Sequence, residues 1–394
     1  MRQGWRWYGP DAGVSLDAVR QAGATDVVSA LHHVPINEVW THAAVSERKN
    51  LIESTPAGRS PLVWSVVESI PIPDAIKRKG GIAKQEIEDW IASMEAVAQN
   101  DIQVICYNFM PVVDWTRTDL NFPTATGSTA MRFGQDRFAA FDLHILQRPG
   151  AEAIYSSEAR KQAAKTYELM SQEEIDSLTS NITSALPGST TEPLTIGEFR
   201  DKLVEYSDVD ANSFRRNLID FLEAVTPVAE KLGVRLALHP DDPPRPLFGL
   251  PRIASTQQDY QALFDAVASP ANGLCFCTGS LGVRPDNDLV QMAKQFASRI
   301  HFAHLRATKR EADGLSFYEA AHLEGDVDMV AVLRVLLDED KRRRADETII
   351  FRPDHGQRML SDFDEEGSPG YPAVGRLRGL AELRGIIAAL DHGA

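Results

Sequence analysis

Four side chains able to hold a metal ion stand at the ends of four successive β-rich runs. They are His239 in Leu-Ala-Leu-His-Pro-Asp-Asp, Cys277 in Leu-Cys-Phe-Cys-Thr-Gly-Ser, His304 in His-Phe-Ala-His-Leu-Arg, and Asp354 in Phe-Arg-Pro-Asp-His-Gly. Two neutral imidazoles, a thiolate and a carboxylate carry two negative charges, which a divalent cation balances. Nitrogen and sulfur donors disfavour Mg²⁺ and Ca²⁺ and suit first-row ions such as Fe²⁺, Mn²⁺ or Zn²⁺. Such a site loses its ion in acid, because protonated ligands cannot bind. The alternative keeps both histidines as hydrogen-bonded interior residues and Cys277 as a small core hydrophobe.

Around these four stand further polar groups. His355 follows Asp354, cannot share its strand face, and so falls in the loop above the site, a place for a general acid or base. The Gly367-Ser-Pro-Gly-Tyr371-Pro segment follows a polar run, Ser361 to Glu366, that can bring Tyr371 over the same point. Tyr8, His32 and His33, Glu68, and Asn108 end the first four runs, and a cavity lined this way suits a polyhydroxylated anion. Arg306 is the candidate for gripping its carboxylate, since guanidinium offers a bidentate fork; an ion pair at the surface is the other reading. His322, in the loop after the seventh run, is placed among the substrate contacts, with loop stabilisation as its alternative.

Eight β-rich runs must position these groups: Gly4 to Tyr8, Val27 to Leu31, Leu62 to Val67, Val104 to Asn108, Val234 to His239, Gly273 to Cys277, Ile300 to His304 and Thr348 to Asp354. Seven are followed by helical periodicity, as in Ile87, Trp90, Ile91, Met94 and Val97, or Phe214 through Leu232. Alternating strand and helix, eight times, predicts a (β/α)8 TIM barrel, whose active site lies at the strand C-terminal ends. The two-residue period of a strand tests this. Pointing His239, Cys277 and Asp354 inward turns Leu236 and Leu238, Leu274 and Phe276, and Ile349 and Phe351 toward the helices. In the seventh run His301 and His304 fall on opposite faces; His304, at the end, is taken as inward, and Arg306 with it. Asp326 or Asp328 is expected to cap the helix through Met329 to Leu337, and Ala373 to Leu390 closes the chain as a helix. The stretch from Pro111 to about Asn212 is far too long for a loop and is read as a mainly helical insertion over the C-terminal face, with helix across Ser156 to Leu186 and a turn at Pro123 to Ser128. The whole chain, 1–394, is thus read as one barrel domain carrying an insertion at about 111–212.

Composition narrows the partners. With 41 Lys and Arg against 56 Asp and Glu among 394 residues, the net charge is −15, which disfavours nucleic acid. No run is long and apolar enough for a membrane span, and three cysteines, an odd number, argue for a reducing compartment, so a cytoplasmic protein is expected. No Gly-rich phosphate loop follows a strand. A barrel of this size leaves room for a homo-oligomer without requiring one.

Taken together in order, Trp5-Arg-Trp-Tyr-Gly, Cys106-Tyr-Asn-Phe-Met-Pro with Asp114-Trp-Thr-Arg, His239-Pro-Asp-Asp-Pro-Pro with Phe248-Gly-Leu-Pro-Arg, Arg352-Pro-Asp-His-Gly and Pro369-Gly-Tyr resemble the mannonate dehydratase family, sugar-acid lyases of hexuronate catabolism, over essentially the whole chain. The resemblance implies a xylose-isomerase-like TIM barrel and one Mn²⁺ or Fe²⁺ per subunit, held by His239, Cys277, His304 and Asp354. It implies acid and base roles for His355 and Tyr371, and conversion of D-mannonate to 2-keto-3-deoxy-D-gluconate and water. His33 stands where an acidic residue is expected, and the long insertion departs from shorter members. Two other readings of the same residues are a metal-dependent sugar isomerase or epimerase, distinguished by its product, and a non-catalytic sugar-acid binder, which would be expected to have lost some of these polar groups.

Overall fold

Alternation along the β-rich runs sorts side chains into two environments, and the computed structural model, which describes residues 1–184, 193–365 and 367–392, separates them. In chain order the strands are β1 (Arg2–Arg6), β2 (Asp26–Ser29), β3 (Val63–Glu68), β4 (Val104–Tyr107), β5 (Asp119–Pro123), β6 (Thr129–Phe133), β7 (Arg235–Leu238), β8 (Asn272–Cys277), β9 (Ile300–His304), β10 (Ala307–Arg310), β11 (Phe317–Ala320) and β12 (Ile350–Arg352). Eight of them run parallel and close into a barrel in the order β1-β12-β9-β8-β7-β4-β3-β2. These are the eight expected runs. Val28, Val66, Val104, Cys106, Ala237, Cys275, Phe302 and Ile350 fill the barrel interior as a cluster of their own. Leu236, Leu238, Leu274, Phe276, Ile349 and Phe351 join the larger core between barrel and helices, as the two-residue period requires. Phe302 faces inward in β9, so His304 and Arg306 share its side.

The helices begin and end where local chemistry dictates. Ala211–Leu232 starts at Asp210, whose carboxylate accepts from the Ser213 amide, and stops at Gly233 in the left-handed region. Of the two candidate caps, Asp328 caps Met329–Asp340, while Asp326 pairs with Lys309 and Arg310. The closing helix runs over Ala373–His392.

The excursion between β4 and β7 corrects the mainly helical expectation at its start. Before any helix, β5 and β6 form an antiparallel hairpin around the turn foreseen at Pro123 to Ser128. This hairpin pairs through β6 with β11, which pairs with β10, making a four-stranded sheet from two distant segments. Its partners are far along the chain, Phe133 stacking on Phe317, so no local pattern announces it. The helix expected from Ser156 to Leu186 is two helices, Ser157–Leu169 and Gln172–Thr183, because Ser171 and Glu174 form a capping box that restarts the chain; Ala185 and Leu186 lie outside the described residues. The sheet lies over the barrel mouth: Ser128 bonds Gln357, and Thr129 pairs with Arg358, in the loop after β12.

Candidate active site

His239, Cys277 and His304 end three adjacent strands, and their ligating atoms all lie within 4.8 Å of one another. The Nδ1 of His239 is 2.7 Å from the Pro240 carbonyl, which can only accept, so Nδ1 carries the hydrogen and Nε2 is left as the ligand atom. Cys277 is fully buried at the start of a short helix, its Sγ 3.2 Å from Ser280 Oγ. Burial opposes its ionisation, but the Arg306 guanidinium and hydrogen bonds from both histidines hold the thiol well below its ordinary range. Asp354 turns into the site with a φ of 34°. Its Oδ2 lies 3.6 Å from Cys277 Sγ and 3.8 Å from His304 Nδ1. Buried though it is, Arg352 above all keeps its carboxyl well below the usual range. The donor set therefore fits a divalent first-row ion. His239 makes the same point: against burial, the Cys277 sulfur pushes its imidazole up to about 10, so the thiolate draws a positive charge to this spot. Cys106 and Cys275 also approach His304, but burial drives the Cys275 thiol well above its ordinary range, as in a core residue.

Around the donors runs a belt of buried ion pairs. Arg352 bonds both oxygens of Glu68, at 2.8 and 3.1 Å, and reaches Asp354; Arg6 holds Glu68 at 2.9 Å. Arg306 bonds Asp242, Glu319 and Asp354, and Arg117, from the excursion, bonds Asp242 and Glu319. Four guanidiniums thus face four carboxylates.

The remaining expected residues fall in three places. His355 and Tyr371 meet over the site with ring centroids 5.0 Å apart, and Tyr8 packs edge-on to Tyr371 at 5.0 Å. Burial and the neighbouring Tyr8 push the Tyr371 phenol well above 10. Asn108, half-buried just past the end of β4, donates to Asp114 at 3.4 Å. Glu68 and Arg306 belong to the belt instead. Arg306 is buried, not a surface pair, and its two terminal nitrogens already bond Glu319 and Asp242 while its Nε forms an ion pair with Asp354, so a bidentate grip on substrate is not available to it in this arrangement. His322 lies behind the site, its Nε2 2.9 Å from the Pro353 carbonyl and its ring against Gly379 of the closing helix. This is the loop-stabilising placement. His33 is exposed beside Arg48.

Sequence reasoning passed over Arg6, Arg352, Arg117, Asp242 and Glu319. A signal existed for two of them: Arg6 and Arg352 precede Tyr8 and Asp354 by one strand period and so face the same way. It also missed Arg376, buried with its guanidinium 4.1 Å from the Trp5 ring and 5.4 Å from the Tyr371 ring, and donating to the carbonyls of Arg6 and Pro372.

A closed barrel of eight parallel strands is the fold of the xylose-isomerase-like TIM barrels. One such protein, from Mycobacterium smegmatis, shares the fold at a TM-score of 0.50 and 13% identity, over 94% of this chain and 88% of that one. The family model for D-mannonate dehydratase (UxuA) matches residues 1–394. The mannonate dehydratase of Brucella canis is 69% identical over 391 residues, covering 99% of this chain and 98% of its own length. The crystal structure of mannonate dehydratase from Streptococcus suis serotype 2 aligns with a TM-score of 0.77 at 30% identity, over 100% of this chain and 94% of that one. The chain belongs to the D-mannonate dehydratase family and is a hydro-lyase.

Proposed function

We propose that the enzyme converts D-mannonate to 2-keto-3-deoxy-D-gluconate and water with one Mn²⁺ or Fe²⁺ held by His239, Cys277, His304 and Asp354. The observation that carries the reading is the convergence of these four donors beside the edge-on rings of His355 and Tyr371. When bound, such an ion supplies Lewis-acid stabilisation of the negative charge that develops as the C2 proton leaves. The chain's own residues supply the rest. His355 and Tyr371 take the complementary acid and base roles that removal of the C2 proton and protonation of the C3 hydroxyl demand. Tyr8 and Asn108, just past the ends of β1 and β4, meet the sugar hydroxyls in this reading, and the belt of ion pairs fixes the donors so that little reorganisation is needed. The two segments of the four-stranded sheet cover the mouth and limit water. We place the enzyme in the cytoplasm, in keeping with three free, buried cysteines.

The test is anaerobic incubation of metal-stripped protein with D-mannonate, with and without Mn²⁺ or Fe²⁺, assayed for a 2-keto-3-deoxy acid. Metal-dependent product is the expected result. An isomeric sugar acid in place of the keto-deoxy product would move the enzyme to the isomerases and epimerases.

A further inference from the structure

Glu319 sits on β11, in the sheet that the excursion and the loop after β9 build over the mouth, and it is buried. Its Oε1 accepts from Arg117 at 2.7 Å and from Arg306, and lies 3.3 Å from Nδ1 of His355. Its backbone carbonyl accepts from Gln357, two residues beyond His355, so strand and loop are tied together. Its other oxygen, Oε2, has no hydrogen-bond partner among the described residues, which leaves the carboxylate aimed at the imidazole and the two guanidiniums. We propose that Glu319 is the positioning residue of His355: it accepts from Nδ1–H, fixes the imidazole in that tautomer, and leaves the lone pair on Nε2, beside Asp354, to take the proton from substrate C2. Nε2 lies 3.8 Å from Asp354 Oδ1, on the metal-ligand side of the ring.

The chemistry requires an ionised carboxylate here, since only that form accepts without competing for the proton. Arg306 and Arg117 outweigh burial and hold Glu319 down to about 2, so it orients the imidazole without becoming protonated itself. With His355 as the base, Tyr371, whose ring meets it edge-on, is left as the acid. The C2–H electron pair becomes the C2–C3 double bond as the C3–O bond breaks. The leaving hydroxide departs as water with the phenol's proton; the enol then gains a proton at C3 and loses its O–H proton at C2 to give the 2-keto-3-deoxy acid, the imidazolium giving up the proton it took and the phenolate regaining the one it lost. This assignment rests on the dehydratase reading above and goes beyond it by naming the orienting group and the direction of proton flow.

The experiment compares metal-loaded Glu319→Gln, Glu319→Asp, Asp242→Asn and His355→Asn with the parent enzyme. It reads kcat, KM, metal content, melting temperature and the isotope effect with D-mannonate deuterated at C2. Asp242 is the control because it bonds the same two guanidiniums as Glu319 without bonding His355. Glu319→Gln is expected to lower kcat by on the order of 10²–10⁴-fold, with KM little changed and proton removal made rate-limiting, so that the isotope effect rises toward its full value. Glu319→Asp keeps the charge and recovers part of the rate, which keeps the test alive if Glu319→Gln folds poorly. Asp242→Asn lowers the melting temperature but leaves the isotope effect as in the parent. Parallel losses in Glu319→Gln and Asp242→Asn with unchanged isotope effects would make Glu319 a charge partner only. An inactive His355→Asn beside an unimpaired Glu319→Gln would overturn this inference and spare the dehydratase reading. A fully active His355→Asn would instead strike at the role given to His355 itself.

Discussion

Arg117 is where the excursion is anchored to the barrel, and removing its guanidinium tests whether the buried belt holds the mouth together. Its side chain is 0% exposed, it bonds both oxygens of Asp242 at 2.7 and 3.0 Å, and it reaches Glu319 at 2.7 Å. Arg117→Met keeps most of the aliphatic stem but leaves two buried carboxylates sharing Arg306. Breaking a buried pair by deleting one partner costs about 3–5 kcal/mol, and the surviving Arg306 contacts put this case near the lower end. An unfolding entropy of about 2.1 cal/mol/K per residue gives roughly 0.8 kcal/mol/K for this chain, so the melting temperature at pH 7 should fall by about 4 °C. The pH dependence supplies the sharper check. Burial opposes ionisation of both carboxylates, but the guanidiniums hold Glu319 down to about 2 from an ordinary 4.5, and Asp242 below its ordinary 3.8. Groups depressed on folding stabilise fully above their unfolded values and lose that contribution as the pH falls toward the folded ones. Without Arg117 the folded values rise and the contribution shrinks, so the gap between parent and variant should narrow as the pH falls below about 4.5, the Glu319 part closing near pH 2 and the Asp242 part lower still. Melting curves in chelator at pH 7 and pH 3.5, which remove metal linkage from the comparison, read both effects. A gap as wide at pH 3.5 as at pH 7, or a drop under about 1 °C at pH 7, would refute the ion-pair account.

Cys277→Ser exchanges the soft donor for a weak one and should cut metal affinity by more than the roughly 10–100-fold typical of losing an outer partner, with turnover lost in step; elemental analysis after dialysis and the keto-acid assay decide it. In the metal-free enzyme His239 is raised to about 10 and is protonated at pH 7, so metal binding must expel its proton. Apparent affinity should therefore climb about tenfold per pH unit below that value, and titration in weak buffer should register close to one proton released per ion; a pH-independent affinity would contradict the thiolate–imidazolium pair. Gly375→Ala would place a methyl carbon 1.9 Å from the Gln357 carbonyl, forcing the closing helix away from the loop that carries His355. Activity should fall severely with metal content retained, and an unimpaired Gly375→Ala would show that this loop tolerates displacement.

The convergence of the four proposed donors could be read from the chain because each stands at or just past a strand end, where a strand's two-residue period tells the direction of its side chains once one is assigned. Leu236 and Phe276 point to the helices for the same reason that His239 and Cys277 point to the cavity, whereas Asp354, two residues past β12, is turned in by its own positive φ. The rule reached as far as Arg6 and Arg352, yet a guanidinium facing a barrel interior reads as an error until its partner is known. That partner, Glu68, lies 284 residues from Arg352. The belt is illegible locally because its charges are tolerable only in combination: Arg117 buried alone would be untenable, and what makes it stable is contributed by the turn after β7 and by β11. Glu319 shows the limit most sharply. Nothing in Ser-Phe-Tyr-Glu-Ala marks a residue that touches the loop carrying His355, because β11 acquires its position from β6, a strand of the excursion nearly the length of a domain away. Chemistry carried by one strand end is written in that strand, whereas chemistry that depends on the second sheet exists only after two remote segments pair. The orientation of His355 belongs to the second kind, and for that reason substitutions in β6 that loosen its pairing with β11 should weaken catalysis without touching a single metal ligand.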